Sequence, residues 1–334
     1  MTPRIQDFKF SDYIRAAGLG RALQTREIPG GGRVGALYLD QAWLDTKNWF
    51  PITNEAATAH DFFGILSREK TDYLYRPETF AALAARAPEL TQDAPYERAL
   101  AFGNQSNHWH FIFDCLPRLV FAFEGGDPNI PLLVGSAHGP RQQSIVTRLY
   151  EMRGLQPPPV HVLPDGIAAV RRTLFPGRID IKSGVALWER LLLPADVRPA
   201  TRDLFVRRGK VDRRRMLNED EAAAHFSRKG FEVIDAGQLD FFEQVELFRS
   251  ARTVIAPHGA ALSNIVFAPP GGVLIELVTG VEQPFYAQLA AAKNWRRSVV
   301  RDPNPTPASH HHEDFSVPLA DIERVLTEAY ATFF

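Results

Sequence analysis

Residues 252–278, RTVIAPHGAALSNIVFAPPGGVLIELV, read as a strand, a turn, a helix and a second strand. The runs TVIA and VLIEL are short, apolar and rich in β-branched residues, the pattern of strands buried on both faces. A strand, a crossover helix and another buried strand make a unit of a parallel sheet. The same alternation extends outward on both sides. DLFVRR, NEDEAAAHFSRKG, FEVIDA and FFEQVELFRSA precede it, and QPFYAQLAAAK follows. An earlier series begins near residue 98: RALAFG, the helical NHWHFIFDCLPRLVFAF, IPLLVG, PRQQSIVTRLYEMRG, PVHVLP and the extended AAVRRTLFP. LLLPADVRPATRD, rich in proline, reads as the linker between the two series. PLADIERVLTEAYATFF is an amphipathic helix.

Residues 1–95 differ. Short apolar runs such as VGALYLD and TDYLYR alternate with glycine and proline, and one helix is expected over 78–87. The triple glycine of PGGGR lacks dinucleotide-binding spacing and has no helix after it, so it reads as a loop. The expected plan is α/β: a mainly β extension (1–95), two Rossmann-like, doubly wound domains facing a cleft (96–195 and 196–300), and a C-terminal tail and helix (301–334). In such sheets ligands bind at the carboxyl ends of the strands.

Bulk properties narrow the function. The chain has 334 residues, 45% hydrophobic and 23% charged, ordinary for a globular protein. A formal net charge of −1 gives no global field for nucleic acid or an anionic membrane, so any anion site must be local. The single cysteine, Cys115, excludes a disulfide framework and a multi-cysteine zinc site. The first twenty residues lack an apolar run after a basic start, and no stretch of eighteen apolar residues occurs. A cytoplasmic protein without a membrane span is expected, and the Ala- and Arg-rich composition hints at a bacterial source.

His258 stands at the carboxyl end of a strand, with Gly259 and Ala260 opening the next helix. Free N–H groups and the helix dipole favour an anion there. One helix end contributes about 0.3–1 kcal/mol, up to about 2 when partly buried, too little to hold a nucleoside diphosphate. FVRRGKVDRRRMLNEDE adds the rest, with Arg207, Arg208, Lys210, Arg213, Arg214 and Arg215 within nine residues. Guanidinium forks suit phosphate oxygens. Asn218, with Glu221 three residues on, is the expected N-cap of the following helix. Glu276, late in an apolar strand, either accepts from ribose hydroxyls or pairs an arginine.

In NHWHFIFDCLPRL, His110 and Asp114 are four apart on one helical face. They form either an acid/base pair or a structural hydrogen bond. His108 is a further candidate on the same turn, and Pro117 ends or kinks the helix. The run His310–His312 lies in a proline-rich stretch and reads as a surface loop, with a metal hydrolase as the competing idea. His60, His138, His161 and His225 are isolated and read as structural.

NHWHFIFDCLPRL, LFVRRGKVDRRRMLNEDE and HGAALSNIVFAPPGGVLIEL, in that order, resemble glycosyltransferase family 61. That family includes bacterial capsular polysaccharide biosynthesis proteins, plant xylosyl- and arabinosyltransferases and animal O-linked GlcNAc transferases. The resemblance covers about residues 100–290. It implies a GT-B fold and an inverting sugar transfer without an essential metal or other cofactor. It also implies a nucleotide-sugar donor, expected to be UDP-linked, and a glycan or lipid-linked acceptor; nucleic acid is not an expected partner, and peripheral membrane association stays open. On the donor side it implies Arg208, Arg214, Arg215, His258, Gly259, Ala260, Asn264 and Glu276. Asn107, His108 and Arg118 fall on the acceptor side, with Asp114 or His110 as the base. Arg207 departs from the family, which often has serine there. The alternative is a non-catalytic nucleotide-sugar-binding protein on the same fold.

Overall fold

The computed structural model describes residues 23–27, 33–46, 49–52, 98–177, 179–193, 199–209, 211–280, 284–304 and 313–331. The expected helix over 78–87, the strand of TDYLYR, most of the glycine-rich loop, Lys210, His60 and the run His310–His312 lie outside these residues. The chain divides into two compact units, Met1–Leu187 and Trp188–Phe334.

The first unit is built on one sheet. Its strands are β1 (Leu23–Glu27), β2 (Arg33–Asp45), β3 (Phe50–Ile52), β4 (Ala99–Gly103), β5 (Leu132–Val134), β6 (Val160–Val162) and β7 (Ile167–Pro176). The order is β1-β2-β7-β4-β5-β6, with β3 on β2. β7, β4, β5 and β6 are mutually parallel, whereas β2 runs antiparallel along β7 from Ala36↔Pro176 to Asp45↔Ile167. The early strands are therefore part of this sheet and not a separate extension. β2 joins it by burying Ala36, Leu37, Leu39 and Leu44. Helix α1 (Pro140–Glu151) starts with proline at its first turn, where a missing N–H costs nothing, and buries Ile145, Val146, Leu149 and Tyr150. Helix α2 (Ile181–Leu187) closes the unit.

The second unit contains β8 (Arg202–Arg207), α3 (Glu219–Arg228), β9 (Glu232–Asp235), α4 (Phe241–Phe248), β10 (Ala251–Pro257), β11 (Val273–Val278), α5 (Pro284–Ala292), β12 (Arg296–Arg301) and α6 (Leu319–Ala331). Its sheet runs β12-β11-β10-β8-β9, and every pairing is parallel. From β8 the chain moves to one side to make β9, then crosses back to make β10 on the other side. The direction of winding reverses between β8 and β10, the switch point at which such sheets leave a crevice. All six residues of β11 are buried, as its unbroken apolar run predicts.

Four sequence expectations need correction. β12 was not foreseen: Arg296, Arg297 and Arg301 dilute its apolar pattern, which an edge strand tolerates because little of it is buried. The leucines opening the expected linker belong instead to a π-helical turn, Trp188–Leu192, and Leu191, Leu192 and Leu193 are buried. Ala260–Phe267 is a 3-10 helix, closed at its start by a Ser263 hydroxyl donating to the Ala260 carbonyl. Asn218 makes no side-chain cap; its amide instead exchanges two hydrogen bonds with the Val317 backbone, tying the start of α3 to the segment before α6.

No described helix is long and apolar enough to cross a membrane. The core under β8 is aromatic. Phe226 of α3 stacks on Phe205 of β8 at 5.6 Å and meets Phe231 edge-on at 5.3 Å. Ile322, Leu326 and Ala329 of α6 join the same cluster. Phe226→Ala removes a fully buried ring and should cost about 3–5 kcal/mol of stability, read as a lowered midpoint in urea denaturation.

Candidate active site

Two strand ends frame the candidate site: the end of β8, continuing into Arg208, and the end of β10, continuing into His258 and Gly259. They are neighbours in the sheet and flank the switch point. Arg207 and Arg208 have opposite surroundings, because successive residues of an extended chain point to opposite sides. Arg207 is claimed by Glu219 and Asp220 in the first turn of α3. That pairing neutralises Arg207.

Arg208 turns toward β10. Its amide donates to Glu219 Oε1 at 2.6 Å, and its Nη1 donates to the His258 carbonyl at 2.6 Å. Weaker bonds at 3.4 Å run from Nε and Nη2 to the Arg213 carbonyl. Burial lowers the pKa of this guanidinium, and the neighbouring charge of Arg214 lowers it further. Two guanidinium groups thus sit close together without a carboxylate taking up Arg208. Gly209, at φ +69°, turns the chain just beyond. Arg214 holds a left-handed backbone (φ +57°) that a side chain other than glycine rarely adopts. Its Nε is buried and has no hydrogen-bond acceptor. A strained residue with an orphaned donor beside a second cation suits an anion.

Gly259 is extended (φ −177°), so the turn does not require glycine there. Space does. A Cβ on residue 259 would stand 2.5 Å from Arg208 Nη1. The Gly259 carbonyl accepts from the Tyr286 hydroxyl of α5 at 2.6 Å. The 3-10 ladder begins with Leu262 N–H to Gly259 C=O, so the N–H groups of Ala260 and Ala261 have no partner within it.

Behind the loop is a buried carboxylate. Glu276 of β11 is fully buried; its Oε1 lies 2.5 Å from His258 Nδ1, and its Oε2 accepts from Arg297 Nε of β12 at 2.6 Å. Both oxygens are therefore occupied by protein. Of the two uses open in the sequence, the ribose acceptor gives way to the paired carboxylate. The His258 ring packs edge-on to Tyr286, 5.1 Å between centroids. Burial, followed by the Glu276 charge, pushes the Tyr286 hydroxyl far above its ordinary value, with Arg214 and Arg208 opposing. Tyr286 stays a neutral donor.

Two other donor-side expectations fall elsewhere. Asn264 is fully buried, and its amide donates to Gln244 Oε1 of α4 at 2.7 Å, bracing the 3-10 helix from below. Arg215 is bound through its backbone and guanidinium to Asp314. That pair anchors the arginine loop to the chain before α6, where Met216 and Phe315 form a β-bridge. Arg297 and Tyr286 carried no sequence signal: one lies in an unrecognised strand, the other in an ordinary apolar helix.

In the first unit the helical stretch after β4 is irregular. Asn107 caps it, its Oδ1 accepting from the N–H groups of Trp109 at 3.0 Å and His110 at 3.4 Å. This supplies a structural reason for Asn107 independent of any acceptor. One α-turn (His108–His110) widens to a π-turn (Phe111–Cys115) and tightens to a 3-10 turn (Leu116–Leu119). Pro117, which has no N–H to give, falls at that change of pitch. π-turns of this kind recur at functional sites. His110 Nδ1 and Asp114 Oδ2 are 2.7 Å apart, with the imidazole 44% and the carboxylate 19% exposed. The pair is thus formed and open to solvent. His108 is half-buried on the same turn.

Arg118 does not reach an acceptor surface: it is 2% exposed, and its Nη1 donates to the carbonyls of Ala101 and Phe102 in β4. Burial pushes the Cys115 thiol up to about 12, so it is no nucleophile. Among the described residues, no three His, Cys, Asp or Glu side chains are grouped to hold a metal. His138 is buried against Phe102 and Phe111, and His225 pairs with Glu323, as structural histidines do.

The second unit thus carries a cationic cluster at the switch point of its sheet, and the first unit, by itself, carries a solvent-open His–Asp pair. No curated protein matches the chain significantly. The family model for glycosyltransferase 61 matches residues 108–275, half of the chain, from the first histidine of the π-turn segment to the residue before Glu276. The chain belongs to glycosyltransferase family 61.

Proposed function

We propose that this glycosyltransferase moves a sugar, hexosyl or pentosyl, from a nucleoside diphosphate donor to a hydroxyl of a glycan or lipid-linked acceptor, with inversion at the anomeric carbon. In keeping with the GT-B plan, the donor is assigned to the second unit and the acceptor chemistry to the first. A UDP-linked donor, a cytoplasmic site of action and a role in bacterial capsular or other surface polysaccharide synthesis belong to the same proposal.

The observation that carries it is the convergence of Arg208, Arg214 with its orphaned buried Nε, and the first N–H groups of the 3-10 helix at the switch point. Breaking the anomeric C–O bond leaves negative charge on the diphosphate. Donors already in place stabilise that charge with little reorganisation. Two guanidinium groups supply the positive charge that other transferases draw from a divalent cation, so transfer proceeds without one. His258 adds a ring donor beside them. On the acceptor side, the attacking hydroxyl loses its proton as the new bond forms. The His110–Asp114 pair is the assigned acid/base: the carboxylate orients the imidazole at 2.7 Å, and either group can take the proton.

Arg208→Ala should lower kcat/KM by about 10²–10³-fold, the effect of losing one preorganised donor, with activity unchanged by EDTA. Gly259→Ala should weaken donor binding while leaving the fold intact, since its methyl crowds the movable end of Arg208 and makes only an ordinary contact with the Pro257 carbonyl; calorimetric titration with sugar nucleotides checks this. Asp114→Asn should reduce kcat by about 10²–10⁴-fold. Proton NMR of the product should show the anomeric configuration opposite to the donor's. A panel of UDP-, GDP- and CMP-sugars that bind but are neither transferred nor hydrolysed would instead favour the non-catalytic binding protein.

A further inference from the structure

The Glu276–Arg297 pair lies behind His258, with the carboxylate fully buried and the guanidinium 12% exposed, next to the strand ends where the anion is proposed to bind. An ionised carboxylate only accepts hydrogen bonds. With Arg297 Nε–H donating to Oε2, Oε1 is left as an acceptor facing His258 Nδ1. The ring must then carry its proton on Nδ1, and Nε2 points away from the carboxylate. We infer that Glu276 and Arg297 are positioning residues that hold His258 in its Nδ1–H form with Nε2 turned to the donor diphosphate, so that donor binding takes up one proton.

The proton follows from the hydrogen-bond inventory. A phosphate oxygen is also an acceptor, so His258 meets Glu276 and the diphosphate together only when both nitrogens carry hydrogen. The groups facing the ring fit this. Tyr286 from α5 is neutral and gives its hydroxyl hydrogen to the Gly259 carbonyl. Arg208, beyond the end of β8, gives Nη1 to the His258 carbonyl, and Arg214 lies next to it. Glu276 from β11 carries the one negative charge at the ring, with Arg297 of β12 as its counterion. With hydrogen on Nδ1 alone, the ring, an ionised carboxylate and Arg297 together carry no net charge. A protonated ring adds one positive charge, which the diphosphate offsets.

This inference rests on the diphosphate site proposed above, but its first test needs no ligand. Long-range 1H–15N spectra of the 15N-histidine-labelled protein at pH 8, with His258→Asn to assign the ring, should show hydrogen on Nδ1. Hydrogen on Nε2 overturns the proposal. In Glu276→Gln the amide oxygen stays with Arg297, so the amide NH2 faces Nδ1. The ring should then switch to Nε2–H, a form that donates to phosphate without an added proton.

The second test is titration with UDP-glucose and GDP-mannose, whose diphosphates lose no proton between pH 6 and 9. Wild-type affinity should fall as pH rises, approaching about tenfold per unit for one proton. Glu276→Gln should flatten that slope. A flat wild-type slope overturns the proton uptake. If neither nucleotide sugar binds at any pH, the transferase reading loses its support, while the ring's hydrogen still decides the inference. Should Glu276→Gln fail to fold, the wild-type spectrum decides alone.

Discussion

A single fully buried carboxylate organises the second unit's working edge. Glu276 cannot remain charged among β10, β11 and β12 unless both oxygens find donors. His258 and Arg297 are those donors, and they come from the strands on either side. The end of β10 is thereby tied across β11 to the start of β12. Removing one partner from such a pair typically costs about 3–5 kcal/mol, because the remaining charge is left uncompensated. Glu276 therefore fixes the position of the loop that carries Gly259 and, through the His258 carbonyl, the direction of Arg208.

The arginine loop illustrates how the same residue type takes on different work. Six basic residues follow one another closely in the sequence, yet the fold divides the described ones sharply. Arg207 is neutralised at the start of α3, and Arg215 is held by Asp314. Of the other described arginines, Arg213 is exposed, while Arg208 and Arg214 are partly buried and close together. Carboxylates thus take up the outer arginines and, among the described residues, leave Arg208 and Arg214 without one. The left-handed backbone of Arg214 is local strain that a bound anion would help to offset.

The first unit uses irregular helix geometry to a similar end. Asn107 starts the turn, Pro117 breaks its pitch, and Arg118 fastens it to β4 from inside. Between these fixed points the π-turn presents His110 and Asp114 to solvent as a bonded pair. Asn107 and Arg118, grouped by resemblance with the acceptor, are better understood as the supports of that pair.

Much of this was legible in the sequence. Short β-branched runs separated by helical stretches determine a parallel α/β plan, because only strands covered on both faces bury so continuous an apolar run. Histidine and glycine at a strand end, arginines at its neighbour's end, and His110 four residues before Asp114 mark the site through local spacing alone. The partners were not legible. Whether Glu276 faces a ribose or an arginine, which arginines stay free, and why Gly259 lacks a side chain depend on groups 18 to 99 residues distant along the chain. Periodicity and propensity record what each segment prefers by itself. Charge compensation in a buried site is settled only when separate segments meet, so the tertiary structure alone decided which of the candidate residues are taken up by protein partners and which are not.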